Sequence, residues 1–177
     1  MIILCDIDGV LANCEHRLKY LRERDYDSFY GIEMANDTTI DSGIKLLRAL
    51  KSFDHNPKVF FITGRPERTR SITKLWVENC AGFTIPGKGH LIMRKDGDHR
   101  PSPAVKVEQI KSVLDPELPA PTQVLKTAID AFTTLLGGDE PSEDIYFIDD
   151  DPENVKAVCK AFPTIIGITF GVGRFND

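Results

Sequence analysis

The stretch Ile2-Ile-Leu-Cys-Asp6-Ile-Asp8-Gly-Val10 decides the fold. Four apolar residues run into an acidic turn that contains a glycine. A short, continuous apolar run is what a parallel strand covered on both faces looks like, and the turn marks where it ends. The same form recurs twice. Lys58-Val-Phe-Phe-Ile62 ends at Thr63-Gly-Arg-Pro66, and Asp144-Ile-Tyr-Phe-Ile148 ends at Asp149-Asp-Asp-Pro152. Two weaker runs, His90-Leu-Ile-Met93 and Thr164-Ile-Ile-Gly-Ile-Thr-Phe170, bring the expected strands to five.

Helical periodicity fills the intervals. Ile44, Leu47, Leu50 and Phe53 recur at near-helical spacing after Asp41-Ser42, which can cap. Pro66 suits a first helical position, with Ile72, Leu75, Trp76 and Cys80 then lining the inner face. Ser102-Pro103 opens a helix that carries Val107, Ile110, Val113 and Leu114. Thr122 starts a strongly apolar helix over 122–136, which Gly137-Gly138 ends. Asp151-Pro152 opens the last, with Asp151 as its N-cap and Val155, Val158 and Phe162 inward. Strands alternating with helices imply right-handed crossovers and an open parallel sheet. The fold class is α/β: a Rossmann-like three-layer sandwich with a five-stranded parallel sheet.

Two stretches fall outside the alternation. Residues 13–40 are charged and aromatic and are expected to form a small cap insertion over the strand ends. Residues 94–103 are expected to be an ordered loop before a helix. Of the insertion's aromatics, Tyr20, Tyr26, Phe29 and Tyr30 are expected to pack it onto the core, with stacking on a base the alternative. The whole chain, 1–177, is expected to be one domain, since 177 residues are an ordinary domain length. Folding at this length buries roughly 70% of the unfolded chain's surface, so the core needs no disulfide or structural metal.

Composition narrows the function. With 41% apolar and 28% charged residues the chain is of the globular type, and no apolar run approaches the length of a membrane span. The start lacks a basic n-region and meets charge by residue six, so no signal peptide is expected. The four cysteines form no C-x-x-C pair and suggest reduced thiols in a cytoplasmic protein. A net charge of −5 argues against a sequence-independent grip on long nucleic acid, but leaves room for a terminal or mononucleotide phosphate in a basic pocket. No feature sets an oligomeric state.

In an open α/β sheet, ligands bind where the carboxyl ends of the strands meet their loops. Four polar clusters fall there: Asp6 with Asp8, Thr63-Gly64-Arg65, Lys106 near a helix start, and Asp149 with Asp150. The position of Lys106 between strand and helix favours it over Lys111. Four carboxylates brought together repel one another unless a cation sits among them, and hard oxygen ligands select Mg²⁺ over zinc. The Thr63 hydroxyl, a backbone amide beside Gly64 and the Lys106 ammonium suit phosphate oxygens. With the charge balanced, one Asp can attack phosphorus as a nucleophile. Arg65, Arg94 and Arg100 lie in segments expected to surround the pocket mouth and to reach the substrate beyond its phosphate.

These motifs resemble a known family. Asp6-Ile-Asp-Gly-Val10 is similar to motif I of the haloacid dehalogenase (HAD) superfamily, D-x-D-G-[TV]. Thr63-Gly-Arg resembles motif II, Lys106 motif III and Ile148-Asp-Asp150 motif IV, in order and over essentially the whole chain. A closer resemblance, to the phosphatase domain of phage-type polynucleotide kinase/3′-phosphatases, rests on Ser71-Ile-Thr-Lys-Leu-Trp-Val-Glu78, Met93-Arg94, Gly97-Asp98, Arg100 and Val105-Lys106. It implies Asp6 as the nucleophile that becomes an aspartyl phosphate. It also implies Asp8 as general acid/base, with its backbone carbonyl offered to Mg²⁺ beside Asp149 or Asp150. The chain carries no P-loop G-x-x-x-x-G-K-[ST], so it is read as a phosphatase module without a kinase half. The apolar helix at 122–136 is additional to the family's compact pattern.

The resulting expectation is a Mg²⁺-dependent phosphomonoesterase acting on a nucleotide-type phosphate. Its substrate is a nucleoside monophosphate or the 3′-phosphate end of a nucleic acid. A phosphatase of sugar phosphates or other small metabolites is the alternative, and a non-catalytic HAD-like binding module the alternative of a different class.

Overall fold

A computed structural model describes residues 1–114 and 144–171. The expected helix at 122–136 lies outside these residues. All five expected strands form and share one sheet: β1 (Ile2–Cys5), β4 (Lys58–Pro66), β5 (Leu91–Arg94), β6 (Ile145–Asp149) and β7 (Ile165–Thr169). Their order is β5-β4-β1-β6-β7 and every pairing is parallel. β2 (Ala12–Asn13) and β3 (Thr38–Thr39) make a separate antiparallel pair.

Side chains of β1 alternate between two apolar layers, as a period of two requires. Ile3 and Cys5 join Ile44, Leu47, Phe61, Trp76 and Ile148 on one face, where α3 (Asp41–Ser52) and α4 (Arg70–Trp76) pack. Leu4 joins Ile62, Ile110, Phe147, Val155 and Val158 on the other, under α5 (Ser102–Leu114) and α6 (Pro152–Ala161). Both faces of the central strand are therefore dry, which is why it reads as an unbroken apolar run.

The strand order sets the site. From β1 the chain crosses to β4 on one side and later returns to β6 on the other, so the loops at the carboxyl end of β1 open on a switch point. Cys5 pairs with Phe61 and with Ile148, and one residue further on Asp6 lies between Ile62 and Asp149. The Asp6 amide donates to the Ile148 carbonyl at 2.9 Å, which fixes that alignment.

Residues 13–40 are closed at their base by the β2–β3 pair. Within them lie a 3₁₀ turn at Glu15–Arg17, α1 (Leu18–Arg22), α2 (Tyr26–Phe29) and a second 3₁₀ turn at Ile32–Asn36. Gly9 turns the chain out of β1 with φ +78°, and a Cβ there would overlap the Asp150 carboxylate. A Cβ at Gly43 would run into the Val10 carbonyl, so α3 approaches this turn at backbone distance.

Several local expectations are corrected. β4 does not end at Ile62 but runs on through Thr63-Gly64-Arg65 to Pro66, with a register shift against β5. Pro66 is extended (ψ 150°) and precedes a 3₁₀ turn at Glu67–Thr69, so it does not open the helix. The Thr69 hydroxyl donates to the Pro66 carbonyl at 2.7 Å and turns the helix inward on its threonines. The buried face is then Thr69, Thr73, Trp76, Val77 and Ala81, one residue out of step with the expected one; Leu75 is 58% exposed and Cys80 is exposed. Asp41 lies inside the first turn of α3, and Ile40 precedes it without a side-chain cap. Phe53, just past that helix, is 80% exposed. By contrast, the Asp151 carboxylate accepts the Glu153 amide and caps α6 as expected. Among the described residues no helix is long and apolar enough to cross a membrane.

Candidate active site

Two strand ends and one helix bring Asp6, Asp149, Asp150 and Lys106 together. Asp6 Oδ1 accepts the Ile7 amide at 2.7 Å and lies 2.9 Å from the Lys106 ammonium. Lys106 enters from α5, donates to the Ile62 carbonyl at 2.7 Å and stands 3.2 Å from Asp149 Oδ2. Asp149 is also held by the Asp151 amide (2.9 Å) and by Asn154 Nδ2 at 3.0 and 3.2 Å. Both partners come from the start of α6, whose amide dipoles favour a negative charge.

Charge does not balance here. Asp6, Asp149 and Asp150 each offer an oxygen within 4.8 Å of the others, against the single ammonium of Lys106. Burial pushes the Asp6 carboxyl well above the usual range, Lys106 opposes it, and the Asp149 charge pushes it further. Burial and then Asp149 raise Asp150 to about 6. Burial alone would lower the Lys106 ammonium, but Asp149 and Asp6 outweigh it and hold it above its ordinary value. Three crowded oxygen ligands short of positive charge fit a hard divalent cation.

Asp8 faces a different group. Arg65 meets it in bidentate fashion, Nε to Oδ2 at 2.9 Å and Nη2 to Oδ1 at 2.7 Å, and Arg17 Nη2 reaches Oδ1 at 2.6 Å. Asp37 holds both arginines, Arg17 through Nε (2.7 Å) and Nη2 (2.8 Å) and Arg65 through Nη2 (2.7 Å). Two cations and two anions thus close a buried square that ties the insertion to β4. Burial would raise the Asp8 carboxyl, but Arg65 and Arg17 outweigh it and hold Asp8 below the usual range.

The expected positions are met unevenly. Thr63 is buried within β4, where its Oγ1 accepts the Arg65 amide at 3.2 Å and its carbonyl accepts Gln109 Nε2 at 2.9 Å. Gly64 lies beside the Tyr30 hydroxyl. Arg65 departs from its expected place at the mouth: it is 0% exposed, points inward to Asp8, and keeps one nitrogen, Nη1, without a partner. Arg94 and Arg100 line a groove with Tyr26, Tyr30 and Arg68, and each is already engaged. Arg94 Nη1 braces the loop after β5 through the Asp98 and Arg100 carbonyls, and Arg100 pairs with Asp98 at 2.7 Å and Glu108 at 2.7 Å. Lys111 is exposed, away from the carboxylates that Lys106 meets.

Sequence reasoning missed Arg17, Asp37, Gln109 and Asn154. Arg17 and Asp37 sit in a stretch so dense in charge that nothing marks two of its members as buried. Asn154 carried a weak signal, three residues after a capping aspartate and therefore over the N-terminal turn of α6.

Residues 1–118 match the family model of the polynucleotide kinase PNKP phosphatase domain. No curated protein matches the chain. Among solved structures, one from a Pnkp1/Rnl/Hen1 complex superposes with a TM-score of 0.58 at 16% identity, over 95% of this chain and 45% of that one. The chain therefore spans less than half of that relative's length. The HAD domain of the effector protein Lem4 from Legionella pneumophila gives 0.44 at 14% identity, over 99% and 88% of the two chains. A HAD family enzyme from Bacteroides thetaiotaomicron, in a magnesium complex, gives 0.38 at 17%, over 99% and 95%.

Proposed function

The chain belongs to the family of the polynucleotide kinase PNKP phosphatase domain, a HAD phosphatase, and from that premise we propose a Mg²⁺-dependent phosphomonoesterase that works through an aspartyl phosphate on Asp6. Its substrate is a nucleotide-type phosphate, either a nucleoside monophosphate or the 3′-phosphate end of a nucleic acid. The proposal treats 1–177 as one domain with a cap at about 13–40. The observation that carries it is the placement of Lys106 between buried Asp6 and Asp149, with Asp150 at the same point.

In this reading Asp6, the Asp8 carbonyl and Asp149 would hold Mg²⁺, with Asp150 beside them. Bound there, the ion would supply positive charge to the phosphate oxygens. Both bonds to the Asp6 carboxylate fall on Oδ1, and Oδ2 attacks phosphorus. The phosphorus–oxygen ester bond breaks, and Asp8 gives its proton to the departing oxygen. Asp8 then takes a proton from the water that attacks the aspartyl phosphate, releasing inorganic phosphate and restoring Asp6. The arginines that hold Asp8 low suit this second, basic role; for the first, Asp8 takes up a proton beforehand. Thr63, the backbone beside Gly64 and Lys106 bind the transferred phosphate. Arg65 secures Asp8, while Arg94 and Arg100 meet the rest of the substrate.

Phosphate release from nucleoside 3′- and 5′-monophosphates, 3′-phosphorylated oligonucleotides and sugar phosphates tests the reading. Nucleotide substrates should lead, and activity should vanish in EDTA and return with Mg²⁺. Full activity in metal-free buffer, or preference for sugar phosphates, would overturn it. Asn154→Ala frees the Asp149 carboxylate from two hydrogen bonds. It should raise the Mg²⁺ needed for half-maximal activity by about 10- to 100-fold, with kcat recovered at saturating metal. A Mg²⁺ titration equal to wild type would detach Asn154 from the site.

A further inference from the structure

We infer that the groove between the insertion and the loop after β5 receives the nucleoside portion of the substrate, with the exposed ring of Tyr26 as the platform on which the base stacks. The inference rests on the phosphatase reading above and names what extends beyond the transferred phosphate.

The groove has a volume of about 490 Å³ and is lined by Tyr26 and Tyr30 on the insertion, Arg68 after β4, and Arg94, His99 and Arg100 of β5 and the loop that follows it. That volume lies within the range of about 300–1,000 Å³ usual for small-molecule sites. It is far more than a phosphate alone requires. Tyr30 links the groove to the neighbourhood of the carboxylates. The Tyr30 hydroxyl lies beside Gly64, and its phenol is pushed up to about 12 by burial and then by the Asp8 charge. Tyr30 therefore stands between the Asp8 cluster and the groove.

The insertion's aromatics divide by role, and this corrects the expectation that all of them pack inward. Phe29 is buried under the Arg17 guanidinium, 4.4 Å from its ring centre, and Tyr30 packs edge-on against Phe29 at 4.7 Å. The Tyr20 ring lies under the Lys19 ammonium and outside the groove. Tyr26 alone of the four lines the groove with an exposed ring, 55% accessible. A planar, amphipathic side chain left in water at the rim of a site gains by covering its face with another ring.

Charge fits the same occupant. One of the groove's cations is held by a pair that is easily exchanged, since Arg68 meets Asp27, which is almost fully exposed, whereas Arg100 is fixed by a bidentate contact to the largely buried Asp98 and by Glu108. Exposed pairs contribute little, so the Arg68 guanidinium can turn to a sugar hydroxyl or a neighbouring phosphate at small cost.

The test compares kcat/KM for thymidine 3′-monophosphate with that for 1,2-dideoxyribose 3-phosphate, the same sugar phosphate without its base, in wild type, Tyr26→Ala, Tyr26→Phe and Tyr20→Ala. Removing the ring should raise KM for the nucleotide about 5- to 150-fold more than for the base-less ester, the size of one stacked base. Phe at position 26 should keep the wild-type ratio, and Tyr20→Ala should leave both substrates at wild-type values. An equal effect of Tyr26→Ala on both substrates, or none, would overturn the groove assignment while p-nitrophenyl phosphate hydrolysis left the phosphatase reading standing. Absence of hydrolysis of all three esters by wild type would overturn both. Circular dichroism checks that Tyr26→Ala is folded.

Discussion

Asp6→Asn is expected to lower turnover by roughly 10⁴-fold or more, the scale seen when a covalent nucleophile is removed, while the melting temperature stays at or above that of the wild type. The amide is nearly isosteric and keeps an oxygen where Oδ1 accepts the Ile7 amide and the Lys106 ammonium. It cannot attack phosphorus. Stability survives because burial already disfavours the Asp6 charge and Lys106 retains Asp149. Phosphate release and calorimetry on the same preparation read both halves. Turnover within tenfold of wild type would remove Asp6 as nucleophile, and a collapse of the melting transition would make its role structural.

Lys106→Met should fail on both counts. Without the ammonium, Asp6 and Asp149 face each other in the interior with no cation between them. Removing one partner from a buried ion pair costs about 3–5 kcal/mol, which for a chain of this size lowers the melting temperature by roughly 6–20 °C. Loss of a preorganised donor to the transferred phosphate costs a further 10²–10³-fold in kcat, to order of magnitude. Added Mg²⁺ should raise the variant's melting temperature more than the wild type's, because it relieves the same repulsion. A variant as stable and as active as wild type would mean that Lys106 is not the counter-charge the geometry makes it.

The two variants bear on how much of this molecule can be read from residues alone. The central strands are legible because a strand dry on both faces must be apolar between its ends, as Ile2–Cys5 is and as β6 is up to the Asp149 that ends it. The turn after such a strand is where a parallel sheet presents its loops, so Asp6 and Asp149 fall at one place from strand order alone. Lys106 was separable from Lys111 because only the first lies one turn into a helix that starts near the site.

What was not legible depends on tertiary contact. Thr63-Gly64-Arg65-Pro66 has turn composition, yet pairing with β5 carries it on as strand and draws Arg65 inward. The charges of Arg17 and Asp37 are compensated by Asp8, by Arg65 and by each other, 9 to 28 residues away in sequence. No local pattern reports such a pairing. Helix α4 packs through Thr69 and Thr73, where hydropathy points to Ile72 and Leu75, because hydrogen bonds at its entry outrank apolar periodicity over so short a helix.

The most direct test of the account is chemical capture of the covalent intermediate. Wild-type protein turning over a phosphomonoester with Mg²⁺ is quenched in acid and treated with borohydride, which reduces an acyl phosphate to the alcohol. Peptide mass spectrometry should then find homoserine at position 6, only when substrate is present, and never in Asp6→Asn. Aspartate unchanged at position 6 during turnover, or homoserine at position 8 instead, would contradict the assignment of Asp6 as the group that carries the phosphate.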